Sequence, residues 1–165
     1  MLRIEFRHIL AEDLELQKDL LFIALWTPAH VPGPSRDILQ SPRVREYYQD
    51  WGRQGDIGLF AIDADQTVLG FVQLRQKYCI TKDYAELPEL AIAVLPSHQG
   101  QGLGACLLDE IMARVMSSVK GIRLGVNPEN QAAIALYKSR NFEFYANPEG
   151  AYPQMVWLNN KGSDD

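Results

Sequence analysis

Apolar and polar residues alternate along several short segments of the chain, and this period of two predicts strands with one face in a core. In the first such segment, Leu2, Ile4, Phe6 and His8 share one face and charged residues separate them. Similar stretches bounded by turn residues predict six further strands: 57–63, 67–75, 89–95, 121–126, 142–146 and 154–158. The polar turn between the second and third strands predicts a hairpin.

Apolar residues spaced three and four apart predict helices between these strands. The first covers residues 13–25 and ends in a proline-rich loop. A second begins at Ser41, an N-cap residue that proline follows at the first helical position. Its apolar residues fall at i, i+3, i+4 and i+7: Val44, Tyr47, Tyr48 and Trp51. This aromatic face serves either the core or the wall of a substrate pocket. Two later helices are predicted, from the glycines near 100 to about 119 and over 130–140.

The strand 89–95, the helix after it and the strand 121–126 form a β-α-β unit, which needs a crossover and normally a parallel pair. Together with the other elements, this order predicts a three-layer α/β arrangement. The length of 165 residues predicts one domain over 1–160 with a real core, and residues 161–165 are predicted to be a disordered tail.

Composition and charge exclude several classes of protein. The net charge is −5 and the Lys and Arg residues are scattered, so there is no basic stripe of the kind that binds nucleic acid. No apolar run has the length of a membrane span or a signal peptide, which predicts a cytoplasmic protein without a membrane partner. Two cysteines are too few for a disulfide framework, and the helical pattern around Cys106 predicts its burial.

The stretch "HQGQGLGACL", residues 98–107, places three glycines just before a predicted helix. A helix N-terminus offers unpaired backbone N–H groups and the positive end of the helix dipole, so glycines there favour a phosphate cradle. The alternative is a tight turn with no ligand. Residues 100–105 also fit a loose dinucleotide-binding fingerprint, but the segment "PSHQ" separates them from the strand. The next strand ends without the acidic residue that would hold a ribose.

The segment "AVLPSHQGQGLG" resembles the Gln/Arg-x-x-Gly-x-Gly/Ala pyrophosphate loop of the GCN5-related N-acetyltransferases (GNAT), with Gln99, Gly102 and Gly104 at its defining positions. A second segment, "NPENQAAIALYKSRNF", is similar to another signature of that superfamily, Asn-x-x-Ala-x-x-Leu-Tyr-x-x-x-Gly-Phe. Its matching residues are Asn130, Ala133, Leu136, Tyr137 and Phe142. Asn141 stands where the family has glycine, and asparagine tolerates the left-handed conformation expected there.

This resemblance implies the GNAT fold, in which helices cover both faces of a mixed, mostly antiparallel sheet with one parallel β-α-β crossover. It implies acetyl-CoA as co-substrate, an amine of unidentified structure as acceptor, and no metal; dimers are common among relatives, so a homodimer is one possible state. The residues implied in cofactor binding are Ile92, Ala93, Val94, Gln99, Gly100, Gln101, Gly102, Leu103, Gly104, Ala105, Asn130 and Tyr137. Tyr137 would also protonate the departing thiolate, and an unpaired strand N–H near Ala93 or Val94 would stabilise the oxyanion. Asn130 would bond the pantetheine amide, cap a helix, or both.

An alkylammonium has a pKa of about 10 and is therefore protonated at neutral pH. Acetyl transfer thus also needs a group that takes a proton from the amine. Strand alternation places Glu89 on the face of two small alanines, so Glu89 is the first candidate base and Glu86 the second. The sequence also resembles bacterial ribosomal-protein N-terminal acetyltransferases, but their glutamate base corresponds to Gly125 here. Two other functions remain open: a non-catalytic acetyl-CoA-binding or sensor domain, and transfer of a different acyl group.

Overall fold

The computed structural model describes residues 3–160, and a seven-stranded sheet forms the centre of this part of the chain. The strands are β1 (Glu5–His8), β2 (Ile57–Ile62), β3 (Val68–Arg75), β4 (Glu89–Val94), β5 (Gly121–Gly125), β6 (Glu143–Ala146) and β7 (Gln154–Leu158). Their order across the sheet is β1-β2-β3-β4-β5-β7-β6. All neighbouring pairs are antiparallel except β4 and β5, which are parallel. The predicted mixed sheet with one parallel crossover is confirmed.

Helices cover both faces of the sheet, and each face has its own core. The helices are α1 (Leu14–Ala24), α2 (Pro42–Arg45), α3 (Leu103–Val115) and α4 (Gln131–Ser139). On one face, apolar residues of α3 and α4 pack on strand residues such as Leu59, Leu69 and Val72, which are fully buried. On the other face, α1 packs with Phe60 and Phe71. The three layers are therefore those predicted from the order of elements.

The aromatic face predicted for the second helix is divided between core and site. Regular helix ends after the four residues of α2, and turns continue the chain. Tyr48 and Trp51 are buried in the α1-side core, where the Tyr48 hydroxyl donates to the Leu39 carbonyl and the Trp51 indole donates to the Ile9 carbonyl. Tyr47 instead lines the site described below.

Cys106 is exposed on α3, so the prediction of its burial was wrong: it lies outside the stripe of α3 that packs on the sheet. The predicted tail 161–165 and Leu2 lie outside the described residues. In the described range 3–160, the helices are too short or too polar to cross a membrane.

The parallel strands β4 and β5 separate soon after they begin. Within the described chain they pair at one position, Glu89 with Arg123. The Leu95 N–H donates to Leu69 on β3, and strand alternation then directs the Ala93 N–H toward β3 as well. The intervening N–H groups, those of Ile92 and Val94, face the gap between β4 and β5. This gap is where the site lies.

Candidate active site

Two cavities meet beside Gly125, at the carboxyl end of β5. The larger is a cleft of about 810 Å³ that follows the gap between these strands to the N-terminus of α3. The smaller has about 520 Å³ and lies at the beginning of β4. Three residues, Tyr47, Gly125 and Tyr152, line both cavities. A ligand in one cavity can therefore touch a ligand in the other.

The glycine loop forms one end of the cleft. Gly100 and Gly102 have φ of +79° and +81°, a left-handed conformation that costs other residues about 1–2 kcal/mol. A Cβ built on either glycine meets no protein atom within 4 Å, so a side chain on Gly102 would project into the cleft that this residue lines. Gly102 is the N-cap of α3, and no side chain caps the first N–H groups of that helix. These donors and the bare backbone fit a phosphate group.

Most residues predicted to bind the cofactor line this cleft: Ile92, Ala93, Val94, Gln99, Gly100, Gly102, Leu103, Gly104, Ala105, Asn130 and Tyr137. Gln101 is exposed and does not line it. The Gln99 amide donates to the Val94 carbonyl at 3.0 Å and so ties the loop to the end of β4. The site residues come together as one surface, and their roles in binding stay predictions.

Helix α4 brings the second motif to the opposite wall. The Asn130 side chain accepts a hydrogen bond from the Ala133 N–H at 3.2 Å, so it caps the helix while it lines the cleft. Asn141 ends this segment with φ of +69°, the left-handed conformation expected for the residue that replaces glycine. Both local expectations are confirmed.

Tyr137 is 7% exposed and packs against Phe142 at 5.7 Å between ring centroids. Burial raises the pKa of its hydroxyl to about 12, so the group stays a neutral donor. The hydroxyl makes no hydrogen bond within residues 3–160, and the side chain lines the cleft. The ring therefore packs in the core while its polar end is available to a ligand.

Glu89 lies at the beginning of β4 in a buried network of charges. One carboxylate oxygen accepts from Arg123 at 2.8 Å and lies 3.5 Å from the Lys77 ammonium. The other oxygen accepts a hydrogen bond from the Tyr47 hydroxyl. Arg123 is 1% exposed and also donates to the carbonyls of Leu87 and Lys77. Glu89 lines the smaller cavity but not the cleft, whereas Tyr47 lines both.

Tyr47 therefore links Glu89, through the hydrogen bond of its hydroxyl, to the residues that line both cavities. Burial, and next the negative charge of Glu89, raise the pKa of Tyr47 well above its usual value. The hydroxyl thus remains protonated and keeps donating to Glu89. The sequence could not single it out, since its helical spacing matches that of the buried Tyr48 and Trp51.

Glu86, the second candidate base, is exposed in the turn before β4 and lines neither cavity. The structure does not bring it to the other site residues, and its role stays a prediction. Sequence reasoning missed a different carboxylate: Glu46 lines the smaller cavity and lies 3.7 Å from the Lys77 ammonium.

Gly125, at the position of the glutamate base of the ribosomal-protein acetyltransferases, has its side-chain space filled by another residue. A Cβ there would meet the amide nitrogen of Gln154 at 2.8 Å. Gln154 is held by its hydrogen bond to the Tyr152 carbonyl at 2.8 Å. A glutamate at position 125 would displace it, so this site is built differently.

Comparison with known proteins gives a match to one family model and to several solved structures of the same fold. The model of the acetyltransferase (GNAT) family matches residues 22–142, which include the glycine loop and the α4 motif. Phosphinothricin acetyltransferase of Sinorhizobium meliloti, a GNAT-superfamily protein solved with AcCoA, is 18% identical with a TM-score of 0.68. The alignment covers 98% of this chain and 92% of that chain.

A second solved structure is spermidine N-acetyltransferase of Vibrio cholerae in complex with CoA and spermine. It is 21% identical with a TM-score of 0.62, and the alignment covers 96% of each chain. Likenesses at these identities demonstrate a shared fold. No curated protein matches this chain by sequence.

Proposed function

Because the chain belongs to the GNAT acetyltransferase family, we propose that it moves the acetyl group of acetyl-CoA to the nitrogen of a primary amine, on a small molecule or a peptide. The observation that carries this proposal is the junction of the two cavities at Tyr47, Gly125 and Tyr152. The larger cleft has the phosphate-binding features for the cofactor, and the smaller cavity leaves room for the amine.

The glycine loop and β4 hold the donor substrate in this proposal. The uncapped N–H groups at the start of α3 bind the diphosphate, and Gly102 leaves the space that it fills. The Ile92 and Val94 N–H groups face the gap and pair with the pantetheine arm. One of these two N–H groups stabilises negative charge on the carbonyl oxygen of the thioester. Val94 is the nearer of the two to the glycine loop. The Ala93 N–H, which faces β3, has no part in this.

The proton of the amine leaves through Tyr47 and Glu89. Both oxygens of Glu89 are already engaged, and the hydrogen bond of the Tyr47 hydroxyl links the carboxylate to the junction. The ammonium gives its proton to the Tyr47 oxygen while Tyr47 gives its own proton to Glu89. Tyr47 ends neutral, Glu89 ends as a carboxylic acid, and the amine becomes the nucleophile. Arg123 keeps two carbonyl partners during this change.

Tyr137 completes the reaction on the opposite wall. Its pKa of about 12 keeps the hydroxyl protonated at neutral pH, so that it acts as a hydrogen-bond donor. A thiol has a pKa near about 8.5, so its thiolate needs only modest help to leave. The hydroxyl therefore donates to the sulfur and protonates it as the carbon–sulfur bond breaks. The acylated nitrogen gives its second proton to solvent, Glu89 gives up to solvent the proton that it received, and Tyr137 regains one proton from solvent.

The direct test is to incubate the purified protein with acetyl-CoA and a panel of amines, amino acids, polyamines and peptides. Release of free thiol must be matched by an acetylated product of the correct mass. A non-catalytic acetyl-CoA-binding protein would bind the cofactor in calorimetry and release no thiol above hydrolysis. Propionyl-CoA in the same assay tests whether the acyl group is acetyl.

The homodimer stays a prediction for this chain. A spermidine N-acetyltransferase of Vibrio cholerae has been solved as a dodecamer, so larger assemblies occur on this fold. Light scattering coupled to size exclusion distinguishes these states.

A further inference from the structure

Two cations, Arg43 and Lys77, and two carboxylates, Glu46 and Glu89, line the smaller cavity. The Lys77 ammonium lies between two carboxylates, 3.7 Å from Glu46 and 3.5 Å from Glu89, and above the Tyr47 ring at 4.5 Å. Arg123 is paired with Glu89 behind the wall. These cations and carboxylates balance one another, with Glu89 shared between Lys77 and Arg123.

Arg43 adds a cation that nothing balances. Its side chain lines the cavity and makes no hydrogen bond or ion pair with any residue between 3 and 160. Arg43 is exposed, and it lines the same cavity as Glu46 and Tyr47. An unpaired guanidinium thus shares a cavity with the hydroxyl that is proposed to take the proton of the amine.

The remaining wall of the cavity is aromatic and apolar. Tyr78 and Tyr152 are 66% and 50% exposed, which is unusual for large rings, and both line the cavity with Ile80. Exposed aromatic residues that surround a concave surface indicate a contact with a ligand. The cavity therefore combines an unpaired cation, an apolar wall and the amine position.

We propose that the acceptor is an amine that carries a carboxylate, with the amine at Tyr47 and the carboxylate at Arg43. A guanidinium binds a carboxylate through two parallel hydrogen bonds, which suits this role better than an ammonium. The unpaired guanidinium of Arg43 repels the second ammonium of a polyamine, and the more exposed carboxylate of the cavity, Glu46, already lies 3.7 Å from the Lys77 ammonium. The proposal rests on the proposed function and adds the class of its acceptor substrate.

The experiment compares matched pairs of amines that differ only in the carboxylate. L-phenylalanine is compared with phenethylamine, and 5-aminopentanoate with butylamine, so that two spacings between the charges are sampled; spermidine is the polyamine probe. Acetylation is measured as kcat/KM, and binding of the two acids to the CoA-saturated protein is measured by calorimetry. Both measurements use the wild type, Arg43→Gln and Arg45→Gln.

Arg45 is the matched control, since it is exposed on the same short helix and does not line the cavity. We expect at least one acid to exceed its decarboxylated partner by about tenfold or more, the scale of one charge-assisted hydrogen bond. Arg43→Gln should remove this preference and weaken binding of that acid by a similar factor, while Arg45→Gln changes neither. Arg43→Lys should restore part of the preference.

Equal rates within each pair, or a preference that survives Arg43→Gln, would overturn the substrate class and leave the proposed function standing. A protein that acetylates spermidine best would do the same. If no amine in any class is acetylated, the proposed function fails first. Calorimetric binding of the acids through Arg43 would then identify a carboxylate-binding pocket without catalysis.

Discussion

Replacing Glu89 with glutamine tests the proton path and perturbs the fold at the same time. The substitution keeps the shape of the side chain and removes its charge, so Arg123, 1% exposed, loses its carboxylate partner. Removing one member of a buried ion pair typically costs about 3–5 kcal/mol. We expect the lower end, about 3 kcal/mol, because Arg123 keeps two carbonyl acceptors and Lys77 keeps Glu46. A domain with about 5–15 kcal/mol of stability survives this loss.

The catalytic effect should be larger than the loss of stability can explain. Without a proton acceptor behind Tyr47, kcat/KM for the best amine should fall by about 10²-fold or more. Acetyl-CoA affinity should stay unchanged, since Glu89 does not line the larger cleft. The wild-type pH profile should have an acidic limb that the variant lacks, with residual activity that rises as alkaline pH supplies neutral amine. Urea unfolding, calorimetry and the pH profile measure the three effects.

A second buried ion pair provides the control. Asp56 and Arg75 lie 2.8 Å apart with side chains 3% and 1% exposed, and neither lines a cavity. Asp56→Asn should therefore lower stability without changing the rate per folded molecule. If Asp56→Asn reduces kcat/KM as much as Glu89→Gln does, destabilisation explains both. If Glu89→Gln keeps its rate and its acidic limb, the proposed proton path is wrong. If Glu86→Gln then loses both the rate and the acidic limb, Glu86 is the general base.

Gly102→Val should raise the acetyl-CoA dissociation constant, measured by calorimetry, at least tenfold by filling the phosphate site. Gly55 is the control, because it also has a positive φ in open space but lies outside both cavities. Gly55→Val should lose as much stability as Gly102→Val and bind acetyl-CoA normally. Tyr137→Phe should keep cofactor affinity within a few fold and slow turnover by tens to hundreds of fold. The activity of the wild type should not fall below about pH 10 through ionisation of Tyr137. If Tyr137→Phe lowers the melting temperature and keeps full turnover, Tyr137 is a packing residue instead. Burial raises the pKa of Asp56, but the hydrogen bond and charge of Arg75, together with the backbone donors, outweigh burial and lower the pKa below its usual value. Its contribution to unfolding free energy should therefore be present above about pH 4 and be lost as pH falls through the lowered value, and Asp56→Asn should flatten this dependence in urea titrations.

The parts of the site that the sequence predicts are those built by local chain geometry. Gly102 begins α3 in a left-handed conformation, and Asn130 caps α4. Both depend on neighbours within a few residues, so their spacing is visible in the sequence. The parallel pairing of β4 and β5 is also predictable, because a β-α-β unit needs a crossover between parallel strands.

The remaining parts depend on contacts between distant segments. Tyr47 reaches Glu89 over 42 positions of sequence, and no periodicity distinguishes it from Tyr48 beside it. The pairing of Glu89 with Arg123, 34 positions away, is equally invisible in either local pattern. Cys106 fits the apolar repeat of α3 and is nevertheless exposed, since the repeat is wider than the stripe that contacts the sheet.

The early separation of β4 and β5 leaves two strand edges facing each other inside the protein, paired in the described chain at Glu89 and Arg123. Open strand edges are templates for pairing with other chains, and in the protein without a ligand the backbone groups along this gap stay unpaired. A cofactor that fills the gap completes the sheet, and at one hundred times its dissociation constant it adds about 2.7 kcal/mol to the folded state. Under the proposed function, the melting temperature of the protein should therefore rise with the concentration of acetyl-CoA.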